Sequence, residues 1–227
     1  HSIHLKDINY IQIHPTTLYS KEKGRRFLIS ESVRGEGAVL LNAKGERFVD
    51  ELLPRDVVSQ AIHAQMEMDH RDYVWLSVVH LGAEKIQKRF PHIYQHCLEK
   101  GYDITKEPIP VTPAQHYFMG GVAVDLESCT SMPHLYAVGE TACNAVHGKN
   151  RLASNSLLES LVFAKRAAKS LQRTIAQIDF TPMPTDLSTY EDTQALAQKY
   201  RTLVLNEIKR RDASFYDQWC HDENTCR

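Results

Sequence analysis

Residues 135–166 read LYAVGETACNAVHGKNRLASNSLLESLVFAKR, a stretch that combines an apolar run, a polar loop and a helical pattern. It opens on an apolar run at 135–138 that is short enough to predict a buried strand ending at Gly139 and Glu140. Arg151 leads into Ser154, Asn155 and Ser156, which predict the N-cap region of a helix. From 157 onward the apolar residues recur at helical spacing and predict one buried face: Leu157, Leu158, Leu161, Val162, Ala164, Ala168, Leu171 and Ile175.

The predicted helix start after Arg151 is suited to negative charge. Free backbone N–H groups and the helix dipole attract anions at such a position, so a carboxylate, a phosphate or an electron-rich ring carbonyl fits there. The alternative interpretation is an ordinary capped helix with a solvated Arg151. These residues alone leave both interpretations open.

Composition and charge exclude several classes of protein. The chain has 227 residues, 42% hydrophobic and 24% charged, which is ordinary for a globular protein with a buried core. The net charge of −1 predicts no general attraction to nucleic acid or to anionic membranes. No apolar run has the length of a membrane span, and no signal peptide is visible.

The cysteine content and the first residue carry two further expectations. Five dispersed cysteines are an odd number and indicate reduced thiols in the cytoplasm: Cys97, Cys129, Cys143, Cys220 and Cys226. The tail Cys220-His221…Cys226 has too few ligands for a zinc site, and no other metal pattern is present. Because the chain starts with His1 and enters strand-like sequence at once, we interpret it as a fragment of something longer.

Before residue 135 the pattern alternates short strands and helices. Strands are predicted at 7–13, 27–30, 38–41, 47–49 and 73–79, with a turn at 43–45. Pro15 is expected to stop regular pairing, which would leave His14 and Thr16 where a strand gives way to a loop. Helices are predicted from Pro54-Arg55 onward and over 82–90 and 91–100.

The second half of the pattern adds a boundary and a terminal helix. Prolines at 108, 110 and 113 predict an extended crossing between domains. Gln115-His116-Tyr117-Phe118-Met119-Gly120-Gly121 precedes a predicted strand, and the paired glycines permit a close backbone approach. Residues 181–184 predict a linker, and 190–211 predict a charged amphipathic helix.

The segment GE-x6-HG-x-NRLASNSLLE at 139–159 resembles the flavin-contacting segment of the fumarate reductase, succinate dehydrogenase and L-aspartate oxidase flavoprotein superfamily. The resemblance covers about residues 8–180 and includes HPT at 14–16 and HYxMGG at 116–121. It implies an α+β fold in these domains: the tail of a first FAD-domain segment (1–13), a capping domain (14–113), a second FAD-domain segment (114–180) and the start of a helical C-terminal domain (181–227).

The resemblance also implies FAD as cofactor, a C4 dicarboxylate as substrate, and a role for each matching residue. It assigns Arg55 to the reacting carbon as the catalytic residue. It assigns Arg151 and His116 to one carboxylate, His14 and Ser30 to the other, with Glu31 in the same substrate site. Two arginines and two histidines suit two carboxylates, since bidentate arginine contacts fix both ends. The implied flavin contacts are Glu140, Ser156 and Leu157.

Within the superfamily, HPTTL, LPRDVV and NRLASNSLLE resemble the L-aspartate oxidase family more than the succinate and fumarate enzymes. That resemblance implies oxidation of L-aspartate to iminoaspartate, reoxidation of the flavin by O2 or fumarate, and the first step of de novo NAD biosynthesis, with quinolinate synthase as a candidate partner. The alternatives are a succinate dehydrogenase or fumarate reductase flavoprotein fragment and a non-catalytic remnant module.

One family feature is missing from these 227 residues. The superfamily binds the ADP part of FAD through an N-terminal G-x-G-x-x-G segment, and no glycine-containing stretch here has that spacing between a strand and a helix. We therefore expect the chain alone to hold FAD weakly or not at all and to be inactive without an N-terminal FAD-binding half.

Overall fold

A computed structural model describes residues 2–22, 24–178 and 186–220. In chain order the strands and α-helices are β1 (Leu5–Lys6), β2 (Ile11–Leu18), α1 (Glu31–Gly35), β3 (Val39–Leu41), α2 (Arg55–Asp69), β4 (Val74–Ser77), α3 (Ala83–Arg89), α4 (Pro91–Glu99), β5 (Ile109–Phe118), β6 (Gly121–Ala123), β7 (Ala142–Cys143), α5 (Ala153–Thr174), α6 (Thr193–Arg211) and α7 (Ala213–Trp219). The described residues divide into two compact units, residues 13–116 and residues 2–12 with 117–220.

The unit of residues 13–116 is built on the sheet with strand order β2-β5-β4-β3. Strands β3 and β4 pair antiparallel, with Leu40 opposite Leu76, and β4 pairs antiparallel with β5, with Trp75 opposite Pro110. The core under this sheet is aliphatic, and Leu40, Ile62 and Val111 are fully buried in it. Burial of such side chains is worth roughly 1.5–3 kcal/mol each, so this unit has a hydrophobic core of its own.

The unit of residues 2–12 and 117–220 contains the sheet with order β1-β6-β7 and the long helix α5. Strands β1 and β6 pair antiparallel, whereas β6 and β7 are parallel. A Cβ on Gly120 would collide with the backbone of Asp7, and one on Gly121 would collide with Thr141. The paired glycines are therefore required by close backbone packing inside this unit.

Several predicted elements are confirmed. The chain has the predicted α+β class, and α2 begins at Arg55 directly after Pro54. Helices α3 and α4 and strands β3 and β4 lie where the pattern placed them. Helix α6 occupies most of the predicted 190–211 segment.

The prediction that Pro15 ends a strand is wrong. Strand β2 runs from Ile11 to Leu18 and contains His14, Pro15 and Thr16. Strand β2 lies at the edge of its sheet, where prolines are tolerated more often than in central strands. His14 therefore projects from a strand rather than from a loop.

The strand predicted at 27–30 is also wrong. Leu28 forms only an isolated bridge with Thr17, and Ser30 caps helix α1, which starts at Glu31. The Ser30 side chain accepts a hydrogen bond from the backbone N–H of Ser32, a local bond that favours a helix start over strand pairing. The strand at 47–49 is likewise reduced to a single bridge between Leu41 and Arg47.

The segment of residues 135–166 departs from the prediction in three ways. Residues 135–138 form no strand, only an isolated bridge between Tyr136 and Cys129. Helix α5 starts at Ala153, so Ser154–Ser156 lie inside its first turn, and its N-cap, Leu152, has no side-chain cap. The predicted buried face is exposed, since α5 buries Ser156, Glu159, Phe163 and Ser170 instead.

Some expectations from the sequence are not tested by the described residues. The domain limits at 13, 113 and 180 remain predictions. The predicted linker at 181–184 and the tail residues His221 and Cys226 lie outside the described residues. Within the described ranges, none of the helices combines the length and apolarity that a membrane crossing requires.

Candidate active site

The predicted site residues fall into two sets, one in each unit. His14, Ser30, Glu31, Arg55 and His116 belong to residues 13–116, and Glu140, Arg151, Ser156 and Leu157 belong to the other unit.

His14 is a buried, neutral hydrogen-bond donor. Its side chain is 1% exposed on β2, and its Nδ1 accepts the backbone N–H of Thr16 at 3.1 Å. Burial, followed by the charges of Arg55, His116 and Arg34, lowers the pKa of His14 from 6.5 to about 2. Because Nδ1 is an acceptor in a neutral ring, the proton resides on Nε2, which is left to donate to a carboxylate.

His116 lies beside His14. The two ring centroids are 5.2 Å apart in an edge-to-face arrangement. His116 comes from β5, the neighbour of β2 in the sheet, so adjacent strands bring the two imidazoles together. This pairing brings together two residues that are far apart in the sequence.

Arg55 is fixed at the first turn of α2. It is 8% exposed, and its Nε donates to Glu31 Oε2 at 2.8 Å while its Nη2 forms an ion pair with the same oxygen. The Glu31 side chain is half-exposed. Arg55 thus has a carboxylate partner inside the protein and is held in one orientation by it.

Arg34 is a buried cation beside the predicted site residue Glu31, and the sequence analysis did not single it out. It is 2% exposed; its Nη1 donates to the backbone carbonyl of Glu51 at 2.6 Å, and its Nη2 lies 3.9 Å from Glu31 Oε1. Burial lowers the pKa of Arg34. Glu31 and Arg34 are three residues apart on helix α1, a spacing that brings opposite charges together and that the sequence alone shows.

Arg151 is held by neighbours in its own unit. Its Nη1 donates to Gln12 Oε1 at 3.0 Å, its Nη2 donates to Ser156 Oγ at 2.5 Å, and Gln12 Nε2 donates back to the Arg151 carbonyl at 2.8 Å. Its guanidinium carbon lies 3.8 Å from the centroid of the Tyr117 ring. Gln12 and Tyr117 are further residues that the sequence analysis did not single out.

The predicted flavin contacts differ in exposure. The Glu140 carboxylate accepts the backbone N–H of Phe118 at 2.9 Å, and Ser156 is buried. Leu157 is 70% exposed. An uncapped helix start next to a cation, with an exposed leucine one residue beyond Ser156, is an arrangement that fits an electron-rich planar ring.

The His147 imidazole packs against the Tyr117 ring. His147 lies edge-on to the Tyr117 ring at 6.0 Å, and its Nε2 is 3.9 Å from the buried Glu159 carboxylate, which accepts from Asn144. Burial lowers the pKa of His147 and raises that of Tyr117, so a neutral imidazole and a protonated phenol are favoured. Across the described part of the chain, no cluster of histidine, cysteine and acidic side chains could hold a metal ion.

The chain belongs to the FAD binding domain family, whose pattern it matches over residues 1–157. It is similar to the L-aspartate oxidases of Clostridium acetobutylicum, with 53% identity over 210 residues, and of Clostridium perfringens, with 52% over 218 residues. These matches cover 92% and 96% of this chain but 48% and 49% of the relatives, so the chain spans about half the length of the curated relatives it matches.

Solved structures agree with this placement. An E. coli quinol fumarate reductase chain matches with a TM-score of 0.70 and 32% identity over 90% of this chain and 38% of that chain. A chain of the Mycobacterium smegmatis Sdh1 complex matches with a TM-score of 0.62 and 34% identity over 89% of this chain and 33% of that chain. The predicted membership of the fumarate reductase-like flavoprotein superfamily is confirmed.

Proposed function

We propose that the chain forms the substrate-binding part and one flavin-facing part of an FAD-dependent oxidase that converts L-aspartate to iminoaspartate. The support is the high identity to L-aspartate oxidases across most of the chain. The proposal includes reoxidation by O2 or fumarate, a role in the first step of de novo NAD biosynthesis, a cytoplasmic location and quinolinate synthase as a partner. The four described cysteines are free thiols, which fits that location.

The observation that carries the proposal is the neutral Nε2–H donor of His14 beside the buried Arg55. A carboxylate that enters this site meets a fixed cation and a hydrogen-bond donor that needs no proton from solvent. In the proposed complex, His14 and Ser30 bind one carboxylate, and Arg151 and His116 bind the other. A four-carbon diacid has two carboxylates, one for each of these two pairs of binding residues.

Arg55 is the proposed catalytic residue. Its ion pair with Glu31 holds the guanidinium in place, and in a closed, water-poor site the charge would stabilise negative charge that develops on the reacting substrate. Glu31 holds Arg55 through this ion pair, and its other carboxylate oxygen lies 3.9 Å from Arg34 Nη2. The arginine therefore orients the substrate without a reorganisation cost during the reaction.

FAD fits the residues of the other unit. When bound, FAD would accept the hydride from the substrate carbon, and Glu140, Ser156 and Leu157 are the residues proposed to contact it. The uncapped first turn of α5 next to Arg151 would stabilise negative charge on the reduced ring. Arg151 would keep its orientation through Gln12 and Ser156.

A succinate dehydrogenase or fumarate reductase activity is the second candidate, and the similarity to the E. coli quinol fumarate reductase favours it. The same site would bind succinate or fumarate, since these diacids share the four-carbon skeleton with two terminal carboxylates. The amino group of aspartate distinguishes the two candidates, and turnover of the two substrates separates them directly.

The test joins this chain to the remaining half of the Clostridium acetobutylicum relative and measures turnover of L-aspartate and of succinate with FAD bound. We expect aspartate turnover, and we expect Arg55→Leu to lower kcat by about 100-fold or more because a fixed charge is lost. The exposed Arg89→Leu is the matched control and should leave kcat unchanged. Succinate turnover alone would support the second candidate, and no turnover of either diacid by a folded, FAD-loaded chimaera would indicate a non-catalytic remnant.

A further inference from the structure

A cavity lies in the unit of residues 13–116, and none of the site residues described above lines it. Its volume is about 870 Å³, and its walls come from residues 18–22 and 24–28 together with His96, Lys100 and Tyr102. Cavities of roughly 300–1,000 Å³ are typical of small-molecule sites. A four-carbon diacid would fill only a small part of this space.

The charge of the lining is strongly positive. Lys21, Arg25, Arg26 and Lys100 line the cavity, and Glu22 is the one carboxylate among its described lining residues. Lys100 Nζ lies 3.4 Å from Glu22 Oε2, and four basic side chains against one carboxylate give the described lining a formal charge of +3 in a chain whose net charge is −1. Such a concentration of cations selects an anionic ligand, and arginine and lysine together are suited to phosphate.

Aromatic rings complete the lining. Phe27 and His96 are stacked with ring centroids 3.7 Å apart and an interplanar angle of 16°. The Tyr19 hydroxyl donates to Asp72 at 3.1 Å, which fixes that ring while the Arg26 guanidinium lies 5.5 Å from its centroid. Fixed aromatic walls favour a ligand that has a planar ring in addition to its negative charge.

We propose that this cavity binds a nucleoside phosphate, with Lys21, Arg25 and Lys100 at the phosphates and the Phe27–His96 pair beside the base. The site is distinct from the residues proposed for the dicarboxylate and FAD, and it stands whether or not the proposed oxidase activity is correct. A metal ion is excluded as the ligand by the surplus of cations, and a plain inorganic anion would leave the aromatic walls without a partner.

The test is calorimetric titration of the full 227-residue chain with GDP, chosen because guanine is not the base of FAD, and with inorganic pyrophosphate as the comparison. We expect one GDP per chain and binding that weakens with added salt. Pyrophosphate should bind at least about fivefold more weakly, since base stacking on aromatic side chains is worth about 1–3 kcal/mol.

Variants locate the site. Lys21→Gln with Arg25→Gln should weaken GDP binding by at least about fivefold through lost phosphate contacts, and His96→Ala should weaken GDP but not pyrophosphate. Lys44→Gln removes an exposed charge of the same unit outside the cavity and should change nothing. Circular dichroism checks that each variant is folded. No GDP binding, equal affinity for pyrophosphate, or GDP binding unaffected by the Lys21 and Arg25 changes would each overturn the proposal.

Discussion

At the scale of single residues, His14 shows how burial and one backbone hydrogen bond define a chemical role. The Thr16 N–H occupies Nδ1, and nearby Arg55 and Arg34 oppose protonation, so the ring is held neutral with its proton on Nε2. The same features make the native state sensitive to acid. Between pH 6.5 and about 2 the unfolded chain binds a proton at this histidine that the folded chain does not.

His14→Gln should therefore reduce the acid sensitivity of the folded chain. The free energy of unfolding of the wild-type chain should fall as pH drops below 6.5, by about 1.4 kcal/mol per pH unit from this group, and the variant should lack that contribution. Urea denaturation at pH 7, 6, 5 and 4.5 measures the slope. His92→Gln, on the exposed side of α4, is the control; identical slopes for wild type and His14→Gln would contradict the account.

Tyr117 is predicted to position Arg151. Tyr117→Leu removes the ring that lies 3.8 Å from the guanidinium, and we expect it to weaken dicarboxylate binding by about 3- to 30-fold, because such cation–π contacts are worth about 0.5–2 kcal/mol. Tyr117→Phe keeps the ring face and should bind normally. The measurement is the inhibition constant of a non-reacting C4 dicarboxylate in the chimaera described above, and equal weakening by both variants would implicate the hydroxyl instead.

At the scale of elements, helix α5 buries a polar stripe and exposes an apolar one. The buried stripe contains Ser156, Glu159, Phe163 and Ser170, and its polar atoms are bonded internally; Ser170 donates to Glu127 at 2.9 Å. The leucine-rich face points to solvent in the described chain. Hydrophobic periodicity marks apolar faces but does not say which face packs inside the same unit.

Substitutions on the two faces of α5 should differ in cost. Phe163→Ala removes a side chain that is 6% exposed and should lower the free energy of unfolding by about 3–5 kcal/mol, the cost of a cavity in a packed core. Leu161→Ala, at 63% exposure, should change it by less than about 0.5 kcal/mol. Thermal or urea unfolding of the 227-residue chain measures both, and equal losses would show that the leucine face is packed in solution.

The close packing of Gly120, just before β6, predicts that alanine substitutions at two glycines will differ in their effect on stability. Gly120→Ala would force a Cβ into the backbone of Asp7, so we expect a loss of about 1–3 kcal/mol of stability, the typical cost of overpacking. Gly35→Ala, where a Cβ meets nothing within 4 Å, is the matched control and should be neutral or slightly stabilising. The comparison uses chemical denaturation, and a stable Gly120→Ala protein would mean that β1 and β6 are less closely packed than described.

At the scale of the whole molecule, the chain comprises two compact units, and each holds part of the proposed site residues. The chain covers about half of its L-aspartate oxidase relatives, and its 227 residues contain no G-x-G-x-x-G segment to bind the ADP part of FAD. Affinity for a large cofactor depends on contacts along its whole length.

The isolated chain should therefore lose FAD during gel filtration, whereas the chimaera with the remaining half of the Clostridium acetobutylicum relative should keep it. The readout is flavin absorbance that co-elutes with protein. Free flavin mononucleotide added in place of FAD serves as a comparison for the ring alone. A stoichiometric flavin band retained by the isolated chain would refute this prediction.

Much of the architecture followed from local signals. Pro54 before Arg55 marked the start of α2, and the resemblance carried by HPT, HYxMGG and NRLASNSLLE implied the family and its candidate residues. These features depend on neighbours within a few positions, which is why a sequence pattern can carry them.

Only the tertiary structure shows four other features. These are the burial of Arg34, the place of Pro15 on an edge strand, the contact of His14 with His116 and the direction of the leucine face of α5. Each depends on which distant segment lies alongside, and side-chain periodicity contains no information about that partner. The neutral state of His14 is the clearest case, because its pKa is set by desolvation and by charges that are distant in sequence but near in space.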